Sequence, residues 1–237
     1  MKIKIGPLIC LLFFTITFLS CTEEEAPNMP PPTPRFLKLL ALGDSYTIGE
    51  SVCGTCSFPF QLRDSLIQRL DLFGDIEVTI IARTGWSTDQ LLTVIGQQDP
   101  PSDFDLVTLL IGVNNQFRRM DFEIYEREFP QLVDRAIQSA GGDANKLTVL
   151  SIPDYAFTPF GQSATAPNVV SQELDQYNAF AEQYCQDRGI TYLNITDITR
   201  QGLAEPELVA ADGLHPSTAA YSRFVARLAP IKMEKLD

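Results

Sequence analysis

Short apolar runs alternate with amphipathic segments from residue 36 to the end of the chain. The runs are six to eight residues long and rich in Leu, Ile and Val, as in strands buried on both faces. Between them, apolar residues recur at helical spacing, as at Leu62, Leu66 and Leu70. The pattern predicts strands at 36–43, 76–82, 105–112, 146–152 and 190–195, and helices at 60–72, 88–98, 125–140, 171–188 and 216–235.

Glycine and proline mark where several of these helices should end. Gly141 and Gly142 follow the third predicted helix, and Gly189 follows the fourth. Pro230 lies inside the last helix. Because proline lacks an N–H and its ring clashes with the preceding turn, we expect it to bend or break that helix.

Strands that alternate with helices predict a parallel sheet covered on both faces. We therefore expect an α/β fold, a three-layer α/β/α sandwich around a five-stranded parallel sheet. In open sheets of this kind the functional site lies beyond the carboxyl ends of the strands. The loops at that edge are 43–58, 83–87, 112–121, 153–169 and 196–216.

The first twenty residues have the pattern of an export signal. Lys2 and Lys4 precede an apolar core at 5–19, which is short for a membrane-spanning helix. Leu19-Ser20-Cys21 resembles a bacterial lipobox, in which the cysteine becomes the lipidated first residue. Ordinary cleavage nearby, or an uncleaved anchor, is the alternative. Residues 21–34 contain three glutamates and five prolines, a composition that favours an extended tether.

The chain is thus expected to comprise a lipoprotein signal peptide at 1–20, a tether at 21–34 and one domain at 35–237. A lipid on Cys21 would anchor the domain to a membrane of the bacterial cell envelope, on its periplasmic face or at the cell surface. Loss of residues 1–20 removes two lysines and takes the formal charge from −12 to −14. Because so acidic a domain repels phosphates, we expect no nucleic-acid partner.

Three cysteines remain after Cys21. Cys53 and Cys56 could form a disulfide in an oxidising compartment, which would leave Cys185 as a free, buried thiol. A redox Cys-x-x-Cys motif normally follows a strand and opens a helix, whereas this pair lies in a loop. Two cysteines and one histidine do not supply four zinc ligands, so we expect neither a metal nor a cofactor.

His215 is the only histidine of the chain and therefore the candidate general base. It lies in Asp212-Gly213-Leu214-His215-Pro216, just before the last predicted helix. A carboxylate three residues before an imidazole can reach one ring nitrogen across a tight turn and fix its tautomer. The other ring nitrogen is then left for a nucleophile.

Ser45 is the candidate nucleophile, because it follows the first predicted strand and Gly43 permits a sharp turn there. Gly-x-Ser triplets also occur at Ser87 and Ser163. Ser87 likewise follows a strand, but it is also suited to cap the helix that begins at residue 88. The chain has no Gly-x-Ser-x-Gly, which argues against an α/β-hydrolase nucleophile elbow.

Four short blocks of the sequence are similar to those of the SGNH (GDSL-type) hydrolases. They are Gly43-Asp44-Ser45-Tyr46, Gly85, Gly112-Val113-Asn114 and Asp212-Gly213-Leu214-His215-Pro216. Each block follows a predicted strand or precedes the last helix, and together they extend over nearly the whole domain. The resemblance implies a flavodoxin-like fold and a serine ester hydrolase, here a bacterial lipoprotein member.

The resemblance also implies a role for each matched residue. Ser45 would be the nucleophile and would donate its own amide to the oxyanion hole, which the Gly85 amide and the Asn114 side chain would complete. His215 would be the general base and acid, with Asp212 as its orienter. Glycine lets an oxygen approach an amide closely, and loss of one oxyanion donor typically costs about 2.7–4 kcal/mol of barrier.

Two residues depart from the family pattern. Tyr46 stands where leucine is common, which should alter only local packing. Asn115 stands where an acid is common. If that acid mainly hydrogen-bonds neighbouring backbone, asparagine can replace it; if its charge matters, activity is lowered.

Other residues of the predicted rim have two interpretations each. Arg118 and Arg119 either bind a substrate carboxylate or phosphate, or are a solvated pair. Several aromatic residues either line an acyl or sugar pocket or belong to the core: Trp86, Phe117, Tyr155, Phe157 and Phe160.

We therefore expect an active carboxylesterase of the lysophospholipase type, whose partner is a small-molecule, glycan or lipid ester. A carbohydrate O-deacetylase is the alternative, and a catalytically inactive surface binding module is a further one. Activity on acetyl esters alone would favour the sugar substrate, whereas hexanoyl or longer chains would favour the lipid.

Overall fold

The apolar runs form the central sheet. Its strands are β1 (Arg35–Gly43), β2 (Gly74–Ala82), β3 (Leu106–Leu110), β4 (Leu147–Leu150) and β5 (Thr191–Leu193). The computed structural model describes residue 2 and residues 34–70 and 74–236. Within these residues all strand pairs are parallel, in the order β2-β1-β3-β4-β5. This is the flavodoxin-like order, so the expected fold is confirmed.

The register aligns the ends of the first three strands. Gly43 pairs with Ala82 of β2 and with Leu110 of β3. Because parallel strands run in one direction, the loops after these strands leave from the same edge of the sheet. The order of the strands reverses between β1 and β3, and sites in such folds lie at this switch point.

Helices connect the strands and cover the sheet. The α-helices are α1 (Ser45–Ile48), α2 (Phe58–Arg69), α3 (Thr88–Gln98), α4 (Val113–Phe117), α5 (Phe122–Ser139), α6 (Pro159–Ala164), α7 (Pro167–Asp187), α8 (Thr196–Thr199) and α9 (Thr218–Glu234). Short 3-10 turns lie at Ala144–Lys146, Tyr155–Phe157 and Pro206–Leu208.

The helices form two layers. The helix α2 packs against α9, whereas α5 packs against both α3 and α7. The connection from β1 to β2 runs in one direction across the sheet, and the later connections run in the other. Since such crossovers are right-handed, the two sets of helices lie on opposite faces, as the three-layer prediction requires.

Two features differ from the sequence predictions. Pro230 was expected to bend or break the last helix, but α9 continues through it to Glu234 and is not broken there. Buried residues on both sides of the proline, among them Leu228 and Lys232, hold the helix against the core. The short helices α1, α4, α6 and α8 were not predicted, because four to six residues are too few to display a period.

Thr33–Asp237 forms one compact unit. The predicted signal peptide at 1–20 apart from residue 2, the predicted lipidation site Cys21, and the predicted tether at 21–34 apart from Pro34 lie outside the described residues. Across the parts of the chain that are described, the helices are too short or too polar to cross a membrane.

Candidate active site

Ser45 lies at the turn from β1 into α1. Asp44 caps the helix, because its Oδ1 accepts a hydrogen bond from the Tyr46 amide at 3.0 Å. A Cβ atom on Gly43 would lie 2.1 Å from Thr47 Oγ1 and 2.4 Å from the carbonyl oxygen of Leu110. The turn therefore requires glycine at residue 43, and it places Ser45 at the carboxyl edge of the sheet.

Asp44 is itself fully buried. Burial raises the pKa of its carboxyl group to about 7, against the lowering effect of the Tyr46 amide. Its Oδ2 has no hydrogen-bond partner among the described residues. Asp44 thus shapes the turn that carries Ser45, and among the described residues it makes no hydrogen bond to His215.

His215 and Asp212 form a close pair. His215 Nδ1 lies 2.6 Å from Asp212 Oδ2. The amides of Leu214 and His215 donate to Asp212 Oδ1 at 2.9 and 3.0 Å. The tight turn that permits this contact passes through Gly213, which has a φ of 71°. The carboxylate therefore fixes both the turn and the ring of the imidazole.

A third side chain reaches Asp212. Ser51 Oγ donates to Asp212 Oδ2 at 2.6 Å. Burial alone would raise the pKa of Asp212, but the hydrogen bonds from Ser51, His215 and the two amides hold it well below its ordinary value. Asp212 is therefore ionised whenever His215 could act as a base.

Sequence reasoning did not identify Ser51. The residue lies in Gly49-Glu50-Ser51, a Gly-x-Ser triplet that follows Ser45 closely. That triplet was the available signal, but the partner of Ser51 is 161 positions away in the chain.

Gly85 and Asn114 lie across from Ser45. Gly85 has a φ of 83°, in the turn after β2, and Asn114 lies in α4 after β3. Asn114 Nδ2 donates to the carbonyl oxygen of Trp86 at 3.0 Å. Arg118 Nη2 donates to the carbonyl oxygen of Gly85 at 2.6 Å. Hydrogen bonds to the adjacent carbonyl oxygens of Gly85 and Trp86 thus hold this turn against α4 and the residue that follows it.

One cavity of about 140 Å³ brings the predicted catalytic groups together. Ser45, Gly85, Asn114 and His215 all line it, and Asp212 lies behind His215. Its other walls are mainly apolar, formed by Tyr46, Thr84, Val113, Phe117, Tyr155 and Leu214. Among the described residues, Ser45 Oγ makes no direct hydrogen bond to the imidazole. Such contacts often tighten only when substrate binds.

The other Gly-x-Ser serines of the prediction do not reach this cavity. Ser87 is the N-cap of α3, and its amide donates to Gln90 Oε1 at 3.2 Å. Its hydroxyl donates to Asp89 Oδ1 at 2.5 Å. Ser163 donates to the carbonyl oxygen of Phe160 at 3.2 Å. The geometry thus favours Ser45 over both.

Asn115 is buried and bonds to the first residue of α3. Its Oδ1 accepts from the Thr88 amide at 3.1 Å, and its Nδ2 donates to Thr88 Oγ1 at 2.7 Å. Thr88 in turn donates its hydroxyl proton to Glu128 Oε2 at 2.6 Å. Asn115 therefore bonds neighbouring backbone, which was one of the two expectations for this position.

The remaining rim residues divide between the site and its surroundings. Phe117 and Tyr155 line the cavity, whereas Trp86, Phe157 and Phe160 pack against the core. Arg119 lines a neighbouring cleft of about 610 Å³, which shares Phe117 and Tyr155 with the cavity. Within the described residues, no group of three or more His, Cys, Asp or Glu side chains could hold a metal ion.

The two loop cysteines are bonded to each other. Cys53 and Cys56 form a disulfide just after Ser51. Cys185 is a free, buried thiol, and burial raises its pKa to about 12.

Comparisons with known proteins show the family and the fold of the chain. The model of the GDSL-like lipase/acylhydrolase family matches residues 41–223. The chain belongs to this family and is an esterase of the SGNH (GDSL) type. A comparison with curated protein sequences finds no match.

Solved structures share the fold at low sequence identity. A lipase/acylhydrolase from Enterococcus faecalis is 17% identical, with a TM-score of 0.63 over 84% of this chain and 96% of that one. An acetyl xylan esterase from Geobacillus stearothermophilus is 19% identical, with a TM-score of 0.60 over 83% and 94%. A psychrotrophic esterase from Pseudoalteromonas is 16% identical, with a TM-score of 0.60 over 84% and 98%.

Proposed function

We propose that this protein hydrolyses carboxylic esters through an acyl-enzyme on Ser45, as a carboxylesterase of the lysophospholipase type. The observation that carries the proposal is the cavity at which Ser45, the Asp212–His215 pair, Gly85 and Asn114 meet. These groups supply a nucleophile, an oriented base and oxyanion donors, the set that acyl transfer needs.

In the first half of the reaction, His215 Nε2 takes the proton of Ser45 Oγ as the oxygen attacks the acyl carbon. The amides of Ser45 and Gly85 and the Asn114 Nδ2 donate to the oxyanion. One N–H of Asn114 is already held by the Trp86 carbonyl oxygen, which leaves the other for the substrate. His215 then protonates the departing alcohol, and Asp212 stabilises the imidazolium between these two transfers.

In the second half, water replaces the alcohol. His215 takes a proton from the water as the water oxygen attacks the acyl carbon. The same donors receive the oxyanion, and collapse of the tetrahedral intermediate returns the proton to Ser45 Oγ.

The apolar lining of the site favours a lipid-like acyl group. Val113, Phe117, Tyr155 and Leu214 line the cavity. Beyond Phe117 and Tyr155, the neighbouring cleft adds further apolar wall, including Val169. An acyl chain longer than the cavity has apolar surface to follow in that direction.

The small volume of the cavity favours a second candidate, a carbohydrate O-deacetylase. About 140 Å³ suits an acetyl group better than a long chain. One of the similar structures, at 19% identity, is an acetyl xylan esterase. Initial rates on p-nitrophenyl esters from acetyl to decanoyl distinguish the two: hexanoyl or longer supports the lipid substrate, and acetyl alone supports the deacetylase.

The direct test of the nucleophile is mass spectrometry after treatment with a fluorophosphonate. We expect a single adduct on Ser45, absent from Ser45→Ala and strongly reduced in His215→Ala with its fold intact. An adduct on Ser87 would show that Ser87, and not Ser45, is the nucleophile. No adduct on the folded protein would favour a binding module without catalysis.

We also propose that a lipid on Cys21 holds the enzyme at a membrane of the cell envelope. The support is the apolar segment at 5–19, the lipobox-like Leu19-Ser20-Cys21 and the proline-rich stretch that follows. Labelled palmitate should enter the full chain and not Cys21→Ser; equal labelling of both would contradict the proposal.

A further inference from the structure

Ser51 has an unusual backbone conformation. Its φ is 66°, in the left-handed region that residues other than glycine seldom adopt. Such conformations persist only where the surroundings hold them, and they concentrate at functional sites. In this conformation the hydroxyl donates to Asp212 Oδ2 at 2.6 Å.

The hydrogen bonds of Asp212 assign a distinct role to each oxygen. Among the described residues, Oδ1 accepts from the backbone amides of Leu214 and His215 alone. Oδ2 faces the imidazole, and its second donor is Ser51. The Asp212 side chain is 30% exposed, so water would compete for that position without the hydroxyl. Among the described residues, Ser51 is thus the side chain that shares Oδ2 with His215.

Contacts on both sides of Ser51 hold its loop in place. Glu50, the residue before Ser51, accepts a hydrogen bond from the hydroxyl of Thr84, which is the residue before Gly85. On the other side, the Val52 amide donates to the carbonyl oxygen of Gly49 at 3.2 Å, and the Cys53–Cys56 disulfide follows. The loop therefore contacts the turn that carries the oxyanion donor as well as the carboxylate behind His215.

We propose that Ser51 is a positioning residue that holds the Asp212 carboxylate against His215. The inference rests on the proposed esterase function, since it concerns the base of that reaction. Ser51 does not line the cavity, so its loss should lower kcat and leave KM unchanged. The expected loss of kcat for a misaligned base is roughly tenfold.

Two substitutions separate the hydroxyl from the backbone conformation. Ser51→Ala removes the hydroxyl and keeps the left-handed φ, whereas Ser51→Gly removes the hydroxyl and relieves the conformation. We expect both variants to lose kcat equally, while the melting temperature of Ser51→Gly exceeds that of Ser51→Ala. Asp99→Gly is the matched control: Asp99 is exposed, has a φ of 42° and ends α3, and its substitution should leave kcat unchanged.

The decisive readout is a double-mutant cycle with Asp212→Ala. If Ser51 acts through Asp212, Ser51→Gly lowers kcat in the wild type and has no effect in Asp212→Ala. A wild-type kcat in Ser51→Gly, or an equal loss in both backgrounds, would overturn the inference. A wild-type protein that gives no fluorophosphonate adduct on Ser45 would reject the proposed function itself, and the inference with it.

Discussion

Asn115 stands where the family commonly has an acid, and its contacts explain the exchange at the scale of single residues. Thr88 has one hydroxyl proton, which it donates to Glu128. The Asn115 amide group donates to the Thr88 oxygen and accepts from the Thr88 backbone amide. A carboxylate at residue 115 would accept from the same amide but would have no proton for the hydroxyl. Asn115 and Glu128 are therefore a matched pair.

We predict that Asn115→Asp lowers the free energy of unfolding by about 1–3 kcal/mol, because one of two buried carboxylates then lacks a donor. The kcat should change little, since Asn115 does not line the cavity. Urea denaturation and ester hydrolysis measure the two effects.

Glu128→Gln provides the control for this prediction. In the double variant Asn115→Asp with Glu128→Gln, the Gln amide group at residue 128 can donate to the Thr88 hydroxyl. Thr88 can then donate its hydroxyl proton to the Asp carboxylate at residue 115, so the free energy of unfolding should recover. If Asn115→Asp instead raises kcat at unchanged stability, a charge at this position matters to catalysis.

At the scale of elements, the connection from α1 to α2 does more than join two helices. It begins at Gly49, after the short helix that Ser45 opens, and its Ser51 bonds to Asp212 near the other end of the domain. The Cys53–Cys56 disulfide shortens the free part of this loop. Restricting a loop reduces the conformational entropy lost when Ser51 adopts its bonded position.

We therefore predict that Cys53→Ser with Cys56→Ser lowers kcat roughly two- to fivefold, because the freed loop bonds Asp212 for less of the time. The double variant should remain folded by circular dichroism. In a Ser51→Gly background, replacing the two cysteines by serine should cause no further loss of kcat. Wild-type kcat after removal of the disulfide would mean that the Glu50 and Gly49 contacts suffice to place Ser51.

At the scale of the whole molecule, a buried lysine lies at the opposite end of the sheet from the candidate site. Lys232 Nζ is fully buried and donates to the carbonyl oxygens of Val107 and Lys146 at 2.9 and 2.8 Å. Two acceptors suit the two N–H groups of a neutral amine. Burial, with a smaller effect of Lys235, lowers the pKa of Lys232 to about 7.

This pKa predicts how stability depends on pH. Between pH 7 and the unfolded value of 10.5, the unfolded chain holds the proton of Lys232 and the folded chain does not. The stability contributed by Lys232 therefore rises with pH across this window. From pH 7 to pH 9 we expect the wild type to gain about 2 kcal/mol over Lys232→Met, at 1.36 kcal/mol for each pKa unit.

Urea denaturation at several pH values measures the difference. Lys146→Met is the control, and its free energy of unfolding should still rise with pH as in the wild type. A wild type and a Lys232→Met variant with parallel pH profiles would mean that Lys232 titrates at its ordinary pKa in the folded protein.

Much of this fold follows from local pattern. The five apolar runs predicted the five strands. Glycines at the end of β1 and after β2 and β3 marked the turns that present Ser45, contain Gly85 and lead into the helix with Asn114. These predictions succeeded because burial on both faces of a strand, and the need for glycine in a tight turn, act within a few residues. Pro230 does not break α9, because the core packing on either side of it outweighs a local helix breaker.

The sequence by itself thus determined which segments are strands, that they run parallel, and which edge presents the candidate residues. Only the tertiary structure decided that Ser51 reaches Asp212, that Asn115 is matched to Glu128, and that Lys232 is buried between two strand ends. The physical reason is that a repeating sequence pattern carries information only about residues close together in the chain. It shows which of them are buried. The hydrogen-bond partner of a buried donor or a carboxylate depends instead on how distant segments pack together. Ser51 and Asp212 are 161 positions apart.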